Sequence, residues 1–420
     1  MAMRIYFSGI GGVGIGPLAQ VAIDAGYDVV GSDMEESPQT QMLKGRGATV
    51  YIGQTGNEIK QAHHEKPIDW FVYTAFLTDG LKELEFAKAH NIRCSKRDEL
   101  LAEIIKEKDL SLIAVAGTHG KTTTTGILMY AMKELGIPLS YSIGTTVSWG
   151  PSGLYDNASK HFVYECDEYD RNFLHFEPAV SIITALDYDH VDTYPTEKDY
   201  RDAFVQFLQQ SAHNVMWEKD LRYLHTDPMT DLEAYDEHMD LSHIALPGAH
   251  VRQNAFLVQK VLERLGVAPN DATRAINAFP GTSRRFEKLA YNLVSDYGHH
   301  PSEIKATLQM AREISDKVVL VYQPHQNVRQ HEVRAEYTPD VFSDADKVYW
   351  LPTYLSREDP DLETLTPEQL TEQLSDESVT TVEMDERLLQ TINRHRSNGE
   401  LVLVMGAGSI DDWARQKLTN

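Results

Sequence analysis

The chain reads as an α/β protein built from three units, each alternating strand and helix around a mostly parallel sheet. Short apolar runs recur ahead of helix-compatible segments. Glycine-rich turns follow two of those runs directly, at Gly9-Ile-Gly-Gly-Val-Gly14 and Gly117-Thr-His-Gly120. A length of 420 residues exceeds what one core normally spans. The unit boundaries are read at 1–107, 108–287 and 288–420.

In the first unit, Arg4–Ser8 forms a strand, the glycine turn follows, and a helix runs to about Ala25. Asp28–Asp33 is a second strand ending in an acid. Gly9, Gly11 and Gly14 fit G-x-G-x-x-G, a spacing that lets backbone N–H groups approach a pyrophosphate. Asp33 is placed to take a ribose hydroxyl. Taken alone, this fits a nicotinamide or flavin enzyme as readily as any other nucleotide binder, and also a tight turn without a ligand. Further strands are expected at Ala48–Tyr51 and Trp70–Thr74, and helices at Glu83–His90 and Arg97–Lys108, with a hinge at Glu107–Asp109.

The second unit opens with Leu112–Ala116 running into Gly117-Thr-His-Gly120-Lys121-Thr122, and a helix over Thr123–Leu135. Strand, glycine turn and helix N-terminus together suit a polyphosphate, because free N–H groups and the helix dipole favour anions. Lys121 would reach the β/γ-phosphates and the Thr122 hydroxyl would sit on Mg²⁺. The loop is shorter than the standard form, which would carry a glycine at Val115. A plain corner with an exposed lysine is the alternative.

Strands at His161–Glu168 and Ala179–Thr184 end in acids, the second leading into Asp187-Tyr-Asp-His190-Val-Asp192. Ligands of open α/β sheets gather at the carboxyl ends of strands. Lys121/Thr122, Glu165 and His190 would therefore converge, a donor set suited to Mg²⁺ or Mn²⁺, with solvated acid loops as the alternative. Thr226–Leu241 reads as an acidic, irregular surface excursion. A helix over Ala255–Leu265 precedes the turn Phe279–Phe286, where Arg284-Arg285 is either a phosphate clamp or a pair of surface charges.

The third unit shows strands at Leu293–Asp296, Lys317–Tyr322, Lys347–Leu351 and Glu400–Met405. Their ends carry Asp296-Tyr-Gly-His-His300, Gln323-Pro-His325 and Gly406-Ala-Gly408. A formal net charge of −24 excludes a general nucleic-acid surface and disfavours anionic membranes. The two cysteines, Cys94 and Cys166, imply no disulfide framework and a reducing cytoplasm. No apolar run approaches the ~20 residues of a membrane span. Met1-Ala-Met-Arg-Ile enters a strand at once and leaves no room for a signal peptide.

These motifs, in this order, resemble the ATP-dependent Mur ligases of peptidoglycan synthesis. Gly9–Gly14 with Gly31-Ser-Asp33 is similar to that family's UDP-binding opening, and Gly117–Thr123 to its ATP loop. Glu165-Cys-Asp-Glu-Tyr-Asp170, Asp189-His-Val-Asp192, Gly281–Phe286, Asp296–Pro301 and Gln323-Pro-His325 complete the series. The resemblance implies a Rossmann-like UDP-binding domain, a P-loop ATPase-like central domain and a Rossmann-like C-terminal domain. It makes the first glycine loop a UDP-sugar site rather than a redox site.

The implied reaction activates the lactyl carboxylate of UDP-N-acetylmuramate as an acyl phosphate. L-Alanine then attacks it, and ADP and phosphate are released. The implied UDP-sugar residues are Gly9, Gly11, Gly12, Val13, Gly14, Asp33, Thr74 and His119. ATP would engage Gly117, Thr118, His119, Gly120, Lys121, Thr122, Thr123, Asn254, Arg285 and Asp296. Thr122, Glu165 and His190 would hold Mg²⁺ or Mn²⁺. Tyr297, His299 and Arg329 would meet the amino acid, and Lys121, His190, Arg285 and His299 would be catalytic, His299 as acceptor of the amine proton. Two positions depart from the family pattern: Val251 where an amide is expected, and Gln326 where an arginine is expected. A recycling ligase of the same family, which takes a ready-made peptide, is the alternative activity. No nucleic-acid or membrane partner is expected, and the chain would act as a monomer or homodimer.

Overall fold

The computed structural model describes residues 2–74, 80–226, 231–356, 358–375 and 378–419. The first sheet holds β1 (Arg4–Ser8), β2 (Asp28–Asp33), β3 (Thr49–Ile52), β4 (Trp70–Tyr73) and β5 (Arg93–Lys96), in the order β3-β2-β1-β4-β5. The second holds β6 (Ser111–Ala116), β7 (Ser140–Ser142), β8 (Gly153–Leu154), β9 (His161–Glu165), β10 (Val180–Ile183), β11 (Asn214–Trp217) and β12 (Leu232–Tyr235), in the order β12-β11-β10-β6-β9-β7-β8. The third comprises β13 (Glu287–Ala290), β14 (Leu293–Asp296), β15 (Val318–Tyr322), β16 (Lys347–Trp350), β17 (Val379–Thr381) and β18 (Leu401–Met405), in the order β13-β14-β18-β15-β16-β17. Pairing is parallel except at β7–β8 and β13–β14.

The α/β class with three mostly parallel sheets is as the sequence predicts. The central strands are legible because helices cover both faces of a parallel sheet, so their residues are apolar without alternation. Every residue of β1, β15 and β18 is buried. The expected irregular stretch Thr226–Leu241 needs correcting: Leu232–Tyr235 is an edge strand paired in parallel with β11, and residues 227–230 lie outside the described residues. Its four half-buried residues give no apolar run to read.

The chain divides into two compact units, Met1–Ile244 with Asn254–Phe279, and Ala245–Gln253 with Pro280–Asn420. In the first unit a single apolar cluster runs through both sheets, from Ile5, Phe7 and Leu18 through Leu100, Ile104, Leu110 and Leu112 to Phe162, Phe173 and Phe204. The expected hinge region leads straight into this cluster. Asp109 turns the chain in the left-handed region (φ 52°) and Leu110 is buried. Helix Gly16–Asp24 packs on the β8 hairpin, where Gly153 N–H donates to Gln20 Oε1 (3.1 Å) and Tyr155 N–H to Asp24 Oδ2 (3.3 Å).

In the second unit the third sheet alternates its side chains between two clusters. Val294, Leu320, Tyr322 and Leu403 face one side; Leu293, Val319, Val321, Val402 and Val404 face the other. Among the described residues, no helix is long and apolar enough to cross a membrane.

A Cβ on Gly153 would lie 2.0 Å from the carbonyl oxygen of Pro17, a backbone atom unable to swing aside. Gly153→Ala should therefore cost about 1–3 kcal/mol by overpacking. Gly45→Ala, on a helix with nothing within 4 Å of the new carbon, should be neutral or stabilising. Urea unfolding of the two variants makes the comparison.

Candidate functional site

The loop after β6 is shaped by two left-handed glycines, Gly117 (φ 134°) and Gly120 (φ 83°). A Cβ on Gly117 would stand 2.4 Å from Thr184 Oγ1, and one on Gly120 2.4 Å from Asn254 Nδ2, so both positions require glycine. Thr118 N–H donates to Ala185 O (2.7 Å) and the Thr184 hydroxyl to His119 O (2.6 Å), tying the loop to the end of β10. Helix Lys121–Glu134 starts on Gly120 without a side-chain cap. Its first turn thus faces the loop as an uncapped N-terminus, the arrangement that accepts phosphate.

Lys121 Nζ donates to Glu168 Oε2 (2.6 Å) and Oε1 (2.9 Å), and to Gly117 O (2.6 Å). Glu168 is fully buried and also meets His190 Nε2 at 3.3 Å. Burial opposes the charge on each partner, but mutual attraction prevails. Glu168 is held below the ordinary carboxyl range by Lys121 and His190, and Lys121 is held above its ordinary value by Glu168 and Asp167. His190 likewise overcomes its burial through Glu168 and lies above the usual imidazole value. The Thr122 hydroxyl donates to Glu165 Oε1 (2.6 Å), and Gly144 N–H to Glu165 Oε2 (3.1 Å). Of the three residues expected around a metal, Thr122 and Glu165 are thus bonded together, whereas His190 pairs with Glu168. The motif containing Glu168 was visible in the sequence, but not that this acid holds the lysine.

At the first glycine loop, Gly11 N–H donates to Asp33 Oδ2 (2.7 Å) and Gly12 N–H to Gly9 O (3.0 Å). Gly12 and Val13 are exposed, and Thr74 is half-buried after β4. Two further residues belong here that spacing did not reveal. Glu83, fully buried, accepts the hydroxyls of Tyr6, Ser8 and Ser32, each at 2.6 Å. It thereby fixes the ends of β1 and β2, from which Gly9 and Asp33 emerge. Arg97 Nη1 comes within 2.4 Å of where a Cβ on Gly14 would be.

In the second unit, Asp296 Oδ2 accepts Phe286 N–H and Oδ1 accepts Gly298 N–H, both at 2.7 Å. This draws the Gly281–Phe286 turn onto the end of β14. Arg284 and Arg285 both lie over the Tyr297 ring, at 4.7 and 5.0 Å. Arg284 also donates to Gly406 O (3.0 Å) and lies 3.5 Å from Asp411, which makes it a structural tie. The His299 ring meets Arg329 Nη1 through Nε2 (2.8 Å) and Tyr297 O through Nδ1 (3.4 Å). Burial, with Arg329 and His325 nearby, pushes this imidazole down to about 4. In this arrangement Nε2 faces the Arg329 guanidinium, so His299 also orients Arg329. Gln326 adopts a left-handed φ of 60°, its N–H donating to Tyr354 O (2.9 Å). Val251 is buried, so the side chain where an amide was expected contributes packing.

The parallel sheets and the helix-borne phosphate loop define an α/β protein of the nucleotide-binding type. Its sequence matches the Mur ligase family, catalytic domain, over residues 4–109, the Mur ligase middle domain over 115–225, and the Mur ligase, glutamate ligase domain over 284–408. Similar proteins include a UDP-N-acetylmuramate–L-alanine ligase from Clostridium perfringens, 30% identical over 97% of this chain and 96% of that protein. Another of the same name, from Geotalea daltonii, is 31% identical over 97% and 95%. The chain belongs to the Mur ligase family. Among solved structures, the UDP-N-acetylmuramate-alanine ligase MurC from Thermotoga maritima shares the fold with a TM-score of 0.76 at 24% identity, over 99% of this chain and 98% of that one. A murein peptide ligase from Psychrobacter arcticus does so at 0.67 and 22%, over 100% and 98%.

Removing one member of a buried ion pair leaves the other uncompensated. Lys121→Ala should therefore destabilise the first unit by about 3–5 kcal/mol, and the Lys121→Ala/Glu168→Gln double variant by clearly less. Urea unfolding of wild type, singles and double gives the coupling. The His299 imidazole should titrate near 4 by NMR. Because the unfolded chain takes up that proton near the ordinary value, this group's stabilising contribution is present at neutral pH and lost as pH falls from about 6.5 toward 4.

Proposed function

We propose that this protein ligates L-alanine to the lactyl carboxylate of UDP-N-acetylmuramate, with conversion of ATP to ADP and phosphate. The observation that carries the reading is the lysine-bearing phosphate loop, with Lys121 oriented by a buried acid and Thr122 joined to Glu165. It occurs in a chain whose relatives bearing that ligase name align over 97% of its length. The domain limits are taken as 1–107 for the UDP sugar, 108–287 for ATP and 288–420 for the amino acid. The first glycine loop (Gly9, Gly11, Gly12, Val13, Gly14), with Asp33, Thr74 and His119, holds the UDP sugar. The cytoplasm is the site of action, with the chain as a monomer or homodimer.

The chemistry begins with two anions meeting: the lactyl carboxylate attacks the γ-phosphorus, and ADP departs. Neutralising that repulsion is the protein's main task. Lys121 shifts part of its bonding from Glu168 to the γ-phosphate while His190 retains the acid. Arg285, Asn254 and Asp296 complete the ATP contacts. Thr122, Glu165 and His190 offer the hydroxyl, carboxylate and imidazole donors that suit Mg²⁺ or Mn²⁺, which when bound screens the phosphate oxygens. In the second step the alanine amine attacks the acyl carbon, phosphate leaves, and the amine gives up a proton to His299 or to the departing phosphate. Arg329, steadied by the neutral His299, receives the amino-acid carboxylate beside Tyr297.

An ADP-release assay with UDP-N-acetylmuramate and a panel of acceptors tests the reading. L-Alanine should support turnover and L-Ala-D-Glu-diaminopimelate should not; the reverse would assign the recycling activity, and no ADP with any acceptor would refute both. Glu165→Gln should lose most turnover and recover part of it as Mg²⁺ is raised. An unchanged metal dependence would remove Glu165 from the metal set.

A further inference from the structure

The glycine loop at residues 9–14 offers its proposed ligand backbone groups but no side-chain charge. Two of its amides are already engaged, Gly11 N–H by Asp33 and Gly12 N–H by Gly9 O, and the loop itself contains no cation. In a protein of net charge −24, a pyrophosphate held there would be favoured by a nearby cation. Arg97 fills that place. It is the first residue of helix Arg97–Glu107, far from the loop in sequence.

Its guanidinium is held from two directions. Nε lies 3.2 Å from Asp98 Oδ2, and Nη2 lies 3.5 Å from Asp167 Oδ2. Asp98 is itself buried and fixed by the Tyr164 hydroxyl at 2.5 Å. The remaining nitrogen, Nη1, faces Gly14, whose missing side chain leaves it room. A guanidinium with two nitrogens clamped and the third presented to a glycine loop is preorganised for an anion.

We propose that Arg97 is the cation that binds the pyrophosphate of the UDP sugar, and that Asp98 and Asp167 position it. This rests on the first loop being the UDP-sugar site. Both clamps depend on β9, since Tyr164 is on the strand and Asp167 lies just beyond its end. The same strand end supplies Glu165 and Glu168 to the ATP loop, so an anion that draws Arg97 away from Asp167 alters the charge beside Lys121.

Calorimetry with UDP-N-acetylmuramate and, separately, with ATP tests the assignment on wild type, Arg97→Met and Arg97→Lys. Loss of a charge-assisted bond should weaken UDP-N-acetylmuramate binding about ten- to hundredfold in Arg97→Met, while ATP affinity stays within about threefold. Arg97→Lys should fall between the two, because it keeps the charge without the fork. Equal UDP-sugar affinity in wild type and Arg97→Met would overturn the proposal. So would a parallel loss of both ligands, which marks a structural role. Failure of wild type to bind the UDP sugar at all would instead strike the reading of the loop. If Arg97→Met does not fold, Arg97→Lys decides: unchanged UDP-sugar affinity overturns the assignment, and a selective loss upholds it.

Discussion

Much of the first unit is arranged around one buried ion pair, Lys121 with Glu168. Neither charge would be tolerated in its position alone. Desolvation of a carboxylate with no exposed surface is costly, and it is offset only because Lys121 and His190 both bond to it. Such a pair contributes little net stability compared with an apolar replacement. It does contribute geometry, since rotating the lysine into solvent would leave the buried acid to His190 alone. The Tyr194 hydroxyl pins the Glu168 carbonyl at 2.6 Å, so the acid is fixed through its backbone as well. The result is a cation held ready over a helix N-terminus.

The end of β9 distributes its residues to two places. Tyr164 and Asp167 engage the start of helix Arg97–Glu107, whereas Glu165 and Glu168 turn to the phosphate loop. Strand alternation explains the first pair of neighbours, Tyr164 and Glu165, which point to opposite faces. Beyond the strand, the left-handed residues Asp170 (φ 54°) and Arg171 (φ 57°) turn the chain, and the ion pair between Lys96 and Asp170 fastens that turn to β5.

What could be read in the sequence follows from what was buried and what was local. Central strands such as Val318–Tyr322 and Leu401–Met405 are apolar from end to end because both faces are covered. The edge strands Arg93–Lys96, Leu232–Tyr235 and Val379–Thr381 have half-exposed residues and no such signature. Lys121 and Thr122 were legible because a loop and the helix after it are one continuous stretch. Glu83 and Arg97 were not. Glu83 meets its three hydroxyls 51 to 77 residues away in the chain, and Arg97 reads as an ordinary helix start until tertiary structure brings Gly14 against it. His299 shows a third limit: its presence beside Tyr297 was visible, but its depressed basicity comes from burial, Arg329 and His325.

The apolar cluster shared by the first two sheets carries a consequence for how this part of the molecule loses its structure. Leu110 and Leu112 sit in the same packed interior as Leu18 and Phe204, so the halves built on the first and second sheets share this interior, while Tyr6, Val30, Ile59 and Phe71 pack in a separate cluster on the first sheet. Melting of the two halves should therefore be coupled through the shared interior, and a fragment cut near residue 108 would present a raw oily face to water.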